Sequence, residues 1–306
     1  LGDVYKRQTE NTFPTGQATK RIDFVVTLKT PPTTVVKSNV IYNLDGVNVA
    51  ITSDHYPLYC DFKKPTGLEE YPKAEGDLRI GNYFLTYCKG TDGVIDYDRT
   101  GRIIAKMNAD IVCLQGLDKE TERSEGIDQL NVLAQKANMY DYFAKAIDYK
   151  GGEFGVGILT KEEPVSVDRY QMAGKSEMRA AMVVEYEKFV VASTNFDTDM
   201  AKRIEALQTL ETKLSAYNKP AFLLGYFNEG DLESEFFQMV KSNWNLLSAD
   251  KSTEVSGKKR RLDFIVSLKS HNVNVTQADV IESLSGVDVT VASTHYPLFC
   301  DFSGLK

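Results

Sequence analysis

The sequence has no excess of positive charge, no paired cysteine motif and no long apolar run. Its formal net charge is −7 at pH 7. Nonspecific binding to nucleic acid is therefore not favoured, because it depends on Lys and Arg side chains that displace counterions. None of the four cysteines stands in a CxxC pair, and we expect them to be buried thiols in strands. No apolar run approaches the ~18–20 residues that a membrane-spanning helix needs.

The chain also begins without an initiator methionine. Its first residues, LGDVYKRQ (1–8), show neither the charged region nor the apolar region of a signal peptide. We therefore expect that the true N-terminus is missing, and the compartment stays unknown. Nothing in the sequence sets the oligomeric state.

An internal repeat is the most prominent feature that the sequence does contain. When the chain is shifted by 240 residues, SDHYPLYCDF (53–62) meets STHYPLFCDF (293–302). Across the whole repeat, positions 21–62 and 261–302 share 21 identical residues in 42. The period is the size of a domain, which indicates two tandem domains and excludes a solenoid.

The repeat predicts the domain organisation of the chain. We interpret residues 1–62 as the C-terminal remnant of a first domain that has lost its other parts. Residues 63–77 are polar, carry Pro and Gly, and are interpreted as a linker. Residues 78–306 are then a complete second domain.

Strand-like and helix-like segments alternate through residues 78–306. The clearest helix is predicted over 198–218, where apolar residues recur at helical spacing. The closing strands are predicted over 261–268 and 287–294, where β-branched residues are frequent. This pattern predicts an α/β fold in which two sheets pack face to face with helices outside them.

Eight motifs carry a resemblance to a known family. In chain order they are LTYC, DIVCLQGLD, GGEFGVGIL, RAAMVV, STNFD, LLGYFN, RRLDFIVSL and STHYPL. Together they resemble the endonuclease/exonuclease/phosphatase superfamily, which has the DNase I-like fold. The resemblance implies a four-layer αββα sandwich and hydrolysis of phosphodiesters or phosphomonoesters with Mg²⁺.

The resemblance also shows which groups of that chemistry are absent from residues 78–306. Family members have an Asn, a metal-binding Glu, a His, an Asp that handles the attacking water and an Asp beside the catalytic His. The residues at these positions are, in that order, Cys88, Gly116, Asn195, Tyr226 and Thr294. We therefore expect no Mg²⁺ bound by residues 78–306 and little or no catalysis by the family mechanism.

Other site positions of the complete domain are retained. By resemblance, His295, Asp263 and Asn228 are the remnant of the catalytic site. Arg179 and Glu153 are the candidate substrate-binding residues. His295 has two interpretations, a core histidine satisfied by Asp263 or a residual phosphate contact.

Two further segments have two interpretations each. YKGGEF (149–154), which contains Glu153, is either a substrate-rim loop or a glycine turn. The basic run KKRR (258–261) is either a phosphate-attracting patch or a solvated strand entrance.

The first copy retains more of the chemistry. Asp23, Asp54 and His55 keep the family residues at the positions of Asp263, Thr294 and His295. A remnant of this size cannot bury an apolar sheet face by itself. We expect a loosely attached hairpin of 21–28 and 47–53 that brings these three side chains near one another.

Two functions follow from these observations. The first is a catalytically degenerate phosphoester hydrolase domain that acts as a pseudoenzyme or a binding and support module. The alternative is an active metal-dependent phosphodiesterase or phosphatase with a non-standard site. A phosphorylated small molecule or a lipid headgroup is the expected partner class, nucleic acid is disfavoured by the charge, and the substrate is not determined.

Overall fold

The structure is a computed structural model, and it describes residues 3–4, 11–14, 19–20, 22–27, 34–63 and 70–306. The chain divides into two compact units, residues 1–69 and 70–306, called unit 1 and unit 2 below. No helix within the described ranges is long and apolar enough to cross a membrane.

The described residues of unit 1 form two short antiparallel strand pairs. β1 (Asp3–Val4) pairs with β2 (Val26–Thr27), and β3 (Thr34–Val40) pairs with β4 (Leu58–Lys63). A one-turn helix, α1 (Val49–Thr52), follows β3 in the chain. A small apolar cluster of Val40, Val49 and Tyr56 holds this part together.

The hairpin of unit 1 therefore differs from the predicted one. It is formed by β3 and β4, whereas 47–53 contains α1. Of the predicted strand 21–28, Arg21 and Leu28 lie outside the described residues, and only β2 is strand.

Unit 2 contains twelve strands and five α-helices within residues 70–306. The strands are β5 (Leu78–Phe84), β6 (Ile111–Lys119), β7 (Tyr140–Tyr149), β8 (Gly152–Thr160), β9 (Ser166–Met172), β10 (Arg179–Glu185), β11 (Val190–Asn195), β12 (Ala221–Tyr226), β13 (Trp244–Leu246), β14 (Asp263–Leu268), β15 (Asn274–Val280) and β16 (Leu298–Ser303). The helices are α2 (Tyr97–Lys106), α3 (Gln129–Ala137), α4 (Met200–Ser215), α5 (Glu235–Asn243) and α6 (Val289–Ala292).

The twelve strands form two six-stranded sheets. Their orders are β15-β16-β5-β6-β8-β7 and β13-β14-β12-β11-β10-β9. One apolar cluster, including Ile80, Met182 and Phe222, fills the space between the sheets. A second cluster packs α4 and α5 on one sheet, and a third packs α2 and α3 on the other. The predicted four-layer αββα sandwich is confirmed.

Helix α4 illustrates how the sequence specifies an outer layer. The side chain of Asp199 accepts a hydrogen bond from the Lys202 N–H at 3.3 Å and caps the first turn. Leu207, Leu210 and Leu214 then recur at helical spacing and are buried against the sheet. The helix predicted over 198–218 is confirmed with slightly shorter bounds.

The strand predicted over 287–294 is wrong, because this segment contains the one-turn helix α6. Asp288 accepts a hydrogen bond from the Thr290 N–H at 2.9 Å and so caps the turn. Val289 and Ala292 are both buried, and a spacing of three residues places them on one helical face. The strand that closes the chain is β16, which starts only after Pro297.

The element pattern of unit 1 repeats in unit 2 at the offset found in the sequence. The bounds of β3, α1 and β4 become those of β15, α6 and β16 when 240 is added to each number. Both strand pairs carry a register shift at the same place, Val35/Lys37 in one and Val275/Gln277 in the other. The interpretation of this repeat as two tandem domains stays a prediction.

Part of the predicted linker packs on unit 2. Lys73 Nζ lies 2.7 Å from an Asp110 carboxylate oxygen, and the Tyr71 ring contacts Phe299. Residues 64–69 lie outside the described residues.

Candidate functional site

The strand ends of unit 2 bring His295 and Asp263 together. Asp263 begins β14 and His295 lies just before β16. His295 Nδ1 lies 2.6 Å from Asp263 Oδ2, and both side chains are buried. The other carboxylate oxygen of Asp263 is buried without a hydrogen-bond partner. The pair predicted by the resemblance is thus present as a contact, and Asp263 orients the imidazole.

Two aromatic rings enclose the imidazole of His295. The ring centroids of Phe84 and Tyr226 each lie 4.7 Å from that of His295, and 4.7 Å from each other. We call these three residues the ring cluster. Burial raises the pKa of Tyr226, and the charge of Asp263 acts in the same direction. The phenol is therefore a neutral packing group beside the histidine.

Phe84 of the ring cluster lies against Gly116, the position that the resemblance assigns to a metal-binding Glu. Gly116 interrupts the register of β6 with β8 and has φ +74°, a conformation that favours glycine. A Cβ added there would lie 3.3 Å from the Phe84 ring. The position thus lacks a carboxylate and is covered by an aromatic ring.

Thr294 makes a neutral contact in the place of the missing Asp. Its hydroxyl lies 3.0 Å from the Thr86 hydroxyl, and Ser293 Oγ donates to the Phe84 carbonyl at 2.6 Å. Thr86, Tyr87 and Cys88 have φ values of 47°, 47° and 60°. A left-handed backbone costs roughly 1–2 kcal/mol per non-glycine residue. Surrounding contacts must therefore hold residues 86–88 in this conformation. The contact between the Thr86 and Thr294 hydroxyls is one of them.

The remaining predicted residues of unit 2 have other partners. Asn228 Nδ2 donates to the Phe196 carbonyl at 2.7 Å. Arg179 forms ion pairs with Asp197 at 3.0 Å and with Glu177 at 2.9 Å. The structure therefore does not bring Arg179 into a hydrogen bond or ion pair with the His295–Asp263 pair.

Asp197, the main partner of Arg179, is charged and satisfied. Its burial works to raise the pKa, but hydrogen bonds from the Asp199 N–H and from Arg179 outweigh burial and lower the pKa of Asp197. Glu153 lies on β8 and pairs with Lys145 at 3.4 Å. Within YKGGEF, Lys150 and Gly151 form the tight turn between β7 and β8, and both have left-handed conformations.

Sequence reasoning missed Glu254 at the edge of the site, whereas its partner Arg260 belongs to the KKRR run. Glu254 forms an isolated backbone bridge with His295. Its carboxylate accepts two hydrogen bonds from the Arg260 guanidinium, both at 2.7 Å. No motif pointed to Glu254, because its position depends on how the chain between β13 and β14 folds. The KKRR run is therefore partly engaged, since Arg260 is paired here and Arg261 donates to Ser248.

The ion pair between Glu254 and Arg260 lowers the pKa of Glu254. Hydrogen bonding from Arg260 is the largest of the effects that lower the pKa of Glu254 to about 2. A lowered folded-state pKa stabilises the fold above the ordinary glutamate pKa, and that stabilisation is lost as the pH falls toward 2. We expect Arg260→Ala to raise the titration midpoint of Glu254 toward 4.5, its ordinary value.

Carboxyl ¹³C NMR titration measures this midpoint directly. Arg102→Ala on α2 is the control, because Arg102 does not pair with Glu254, and it should leave the midpoint unchanged. A midpoint that stays near 2 in Arg260→Ala would show that Arg260 is not the cause.

Unit 1 has a histidine–carboxylate pair of its own. His55 Nδ1 lies 2.8 and 3.0 Å from the two Asp23 oxygens. These side chains are 36% and 33% exposed, unlike the buried pair of unit 2. Asp54 is exposed beside His55, and the Phe13 ring lies 5.1 Å from the His55 ring.

The side chains around the ring cluster do not fit a Mg²⁺ site, which needs several oxygen ligands in near-octahedral geometry. Asp263 is engaged by His295 through one oxygen, so a single carboxylate oxygen there lacks a partner, while Glu254 is engaged by Arg260 and Asp197 by Arg179. Gly116 and Tyr226 supply no carboxylate. Within the described part of the chain, no group of three or more His, Cys, Asp or Glu side chains is arranged to hold a metal ion.

Comparisons with known proteins identify the fold. The sequence matches no protein-family model and no curated protein. A Beutenbergia cavernae endonuclease/exonuclease/phosphatase has a TM-score of 0.63 and 18% identity, with 76% of this chain and 73% of that chain covered. The Bacteroides thetaiotaomicron mannosyl-6-phosphatase has a TM-score of 0.58 and 15% identity, covering 74% and 99%.

The catalytic domain of human nocturnin, solved with a bound sulfate, is a third neighbour. It has a TM-score of 0.57 and 19% identity, covering 76% of this chain and 96% of that one. The layer order of unit 2 and these neighbours agree. The chain therefore has the DNase I-like fold of the endonuclease/exonuclease/phosphatase proteins.

Proposed function

We propose that unit 2 is a catalytically degenerate phosphoester hydrolase domain that acts as a binding or support module. The observation that carries this proposal is the ring cluster. Phe84 and Tyr226 pack on both His295 and each other, over a glycine at the position of the metal-binding Glu. The imidazole that would face a phosphate in a family member is 5% exposed here.

The expected loss of hydrolysis rate supports the same proposal. Loss of a general base alone costs about 10²–10⁴ in rate, and Tyr226 stands where the family has that group. Without Mg²⁺, the charge of an anionic phosphorus centre is not neutralised and the attacking oxygen is repelled. A binding role needs neither a general base nor Mg²⁺. A phosphorylated small molecule or a lipid headgroup is the proposed ligand class, in keeping with the mannosyl-6-phosphatase and the sulfate-bound neighbour.

Hydrolysis of bis-p-nitrophenyl phosphate tests the proposal. We expect the purified chain to release no nitrophenol above background with Mg²⁺ or Mn²⁺. His295→Ala should behave identically, since an inactive site has no activity to lose. Release that EDTA abolishes and that His295→Ala also abolishes would instead establish the alternative, an active hydrolase with a non-standard site.

A further inference from the structure

The repeat allows each residue of unit 1 to be compared with its equivalent in unit 2. The equivalence extends beyond the strands to single hydrogen bonds. Tyr56 N donates to the Thr12 carbonyl at 2.9 Å, and Tyr296 N donates to the Thr253 carbonyl at 2.8 Å. The histidine–carboxylate pairs also correspond. Unit 2 can therefore serve as a template for what unit 1 residues contact in a complete sandwich.

Some apolar residues that are buried in unit 2 have exposed equivalents in unit 1. Phe24 is 48% exposed, whereas its equivalent Phe264 is fully buried. Leu44 is 55% exposed, and its equivalent Leu284 is 8% exposed. Leu284 packs in the cluster of α2, whereas Phe264 packs in the cluster of α5 on the other sheet. We therefore set Phe24 aside and call Leu44, Ile51 and Asp61 the unit 1 face. Exposed apolar patches of this kind mark interaction surfaces.

Unit 2 shows which elements cover the equivalent residues. Leu284 lies in one apolar cluster with Tyr83 of β5 and Ile103 of α2. β16 is paired on both edges, with β15 on one side and β5 on the other. β4 is its equivalent, and within the described ranges it pairs only with β3. Unpaired strand edges readily accept a further strand.

Asp61 adds chemical specificity to this face. Its equivalent, Asp301, accepts two hydrogen bonds from Arg79 of β5, at 2.6 and 2.7 Å, in the interior of unit 2. Asp61 is exposed. Lys37, opposite Asp61 in the strand pair, is exposed as well, so it does not bury the carboxylate. A planar guanidinium on an adjacent strand is the group that this geometry fits.

From these observations we propose that the unit 1 face docks an arginine-bearing β-strand followed by an amphipathic helix. Such a pair is the counterpart of β5 and α2 in another DNase I-like sandwich. The strand pairs with the edge of β4 opposite β3, which has no partner strand among the described residues. Its arginine reaches Asp61, and the helix covers Leu44 and Ile51. A second copy of this chain is a poorer occupant, because its β5 is already paired with its own β16.

A tethered surrogate tests the proposal. A copy of residues 70–119, which contains β5, α2 and β6, is fused through a flexible Gly/Ser linker ahead of residue 1 of the full chain. The tether supplies a millimolar effective concentration. Amide hydrogen exchange at 58–63 is compared with and without the appended copy. We expect exchange there to slow by about tenfold or more, with exchange at 298–303 unchanged.

Three variants make the test specific. Arg79→Gln in the appended copy alone, or Asp61→Asn in unit 1, should remove most of the added protection. Asp45→Asn, another exposed carboxylate of unit 1, should leave the protection intact. The proposal is overturned if exchange at 58–63 does not slow or if Arg79→Gln protects equally. Protection that accompanies a concentration-dependent dimer of the unmodified chain would overturn it too, and assign the face to a second copy.

Discussion

Asp301→Asn is expected to lower the free energy of unfolding of unit 2 by about 3–5 kcal/mol, the usual cost of breaking a buried ion pair. Arg79 is 0% exposed and Asp301 1% exposed. Two parallel hydrogen bonds join them, and the guanidinium also lies 3.9 Å from the Phe299 ring centroid. Removing the carboxylate charge leaves the arginine buried without a counter-charge.

Denaturant unfolding followed by tryptophan fluorescence measures this change. Trp244 is the single tryptophan of the chain and is buried in unit 2, so the signal reports on unit 2. Asp279→Asn is the matched control, because Asp279 pairs with Lys251 at the surface, where such pairs contribute about 0–1 kcal/mol. Equal small losses in both variants would contradict the structural role given to the Arg79–Asp301 pair.

Restoring the three missing carboxylates without moving Phe84 is expected to leave Mg²⁺ binding absent. The triple variant carries Gly116→Glu, Tyr226→Asp and Thr294→Asp. At position 116 a side chain meets the Phe84 ring at 3.3 Å from a backbone with φ +74°, so the new Glu cannot take its place freely. Adding Phe84→Val removes the ring, and we expect saturable Mg²⁺ binding to appear only in this quadruple variant.

Isothermal titration of both variants with MgCl₂ checks this expectation, with Phe84→Val alone as the control. The groups of such a site act together, so single restorations should do little. If the triple variant bound Mg²⁺ as tightly as the quadruple variant, the ring cluster would not be the obstacle to the metal.

The sequence predicted the fold better than the state of the site. The element pattern predicted two packed sheets with helices outside, and the family resemblance implied both the αββα sandwich and the pairing of His295 with Asp263. Both depend on residues that keep their family identity. The strand predicted over 287–294 was wrong because the prediction gave weight to its β-branched residues. It overlooked the N-cap at Asp288 and the helical spacing of Val289 and Ala292.

The ring cluster could not be read from the sequence. Phe84, Tyr226 and His295 lie far apart in the chain. They meet because the last residues of β5 and β12 lie next to the segment that precedes β16. Glu254 reaches His295 through an irregular segment that no periodicity describes. The sequence alone showed that the carboxylates are absent. Only the structure showed that aromatic rings occupy the space around His295.

Titration of the unmodified chain with Mg²⁺ tests the central claim most directly, since the proposed degeneracy depends on the loss of the metal site. The quadruple variant serves as the positive control in the same calorimetric experiment. We predict only heats of dilution for the unmodified chain, and the same for Asp263→Asn. Saturable Mg²⁺ binding to the unmodified chain that is lost in Asp263→Asn would contradict the account.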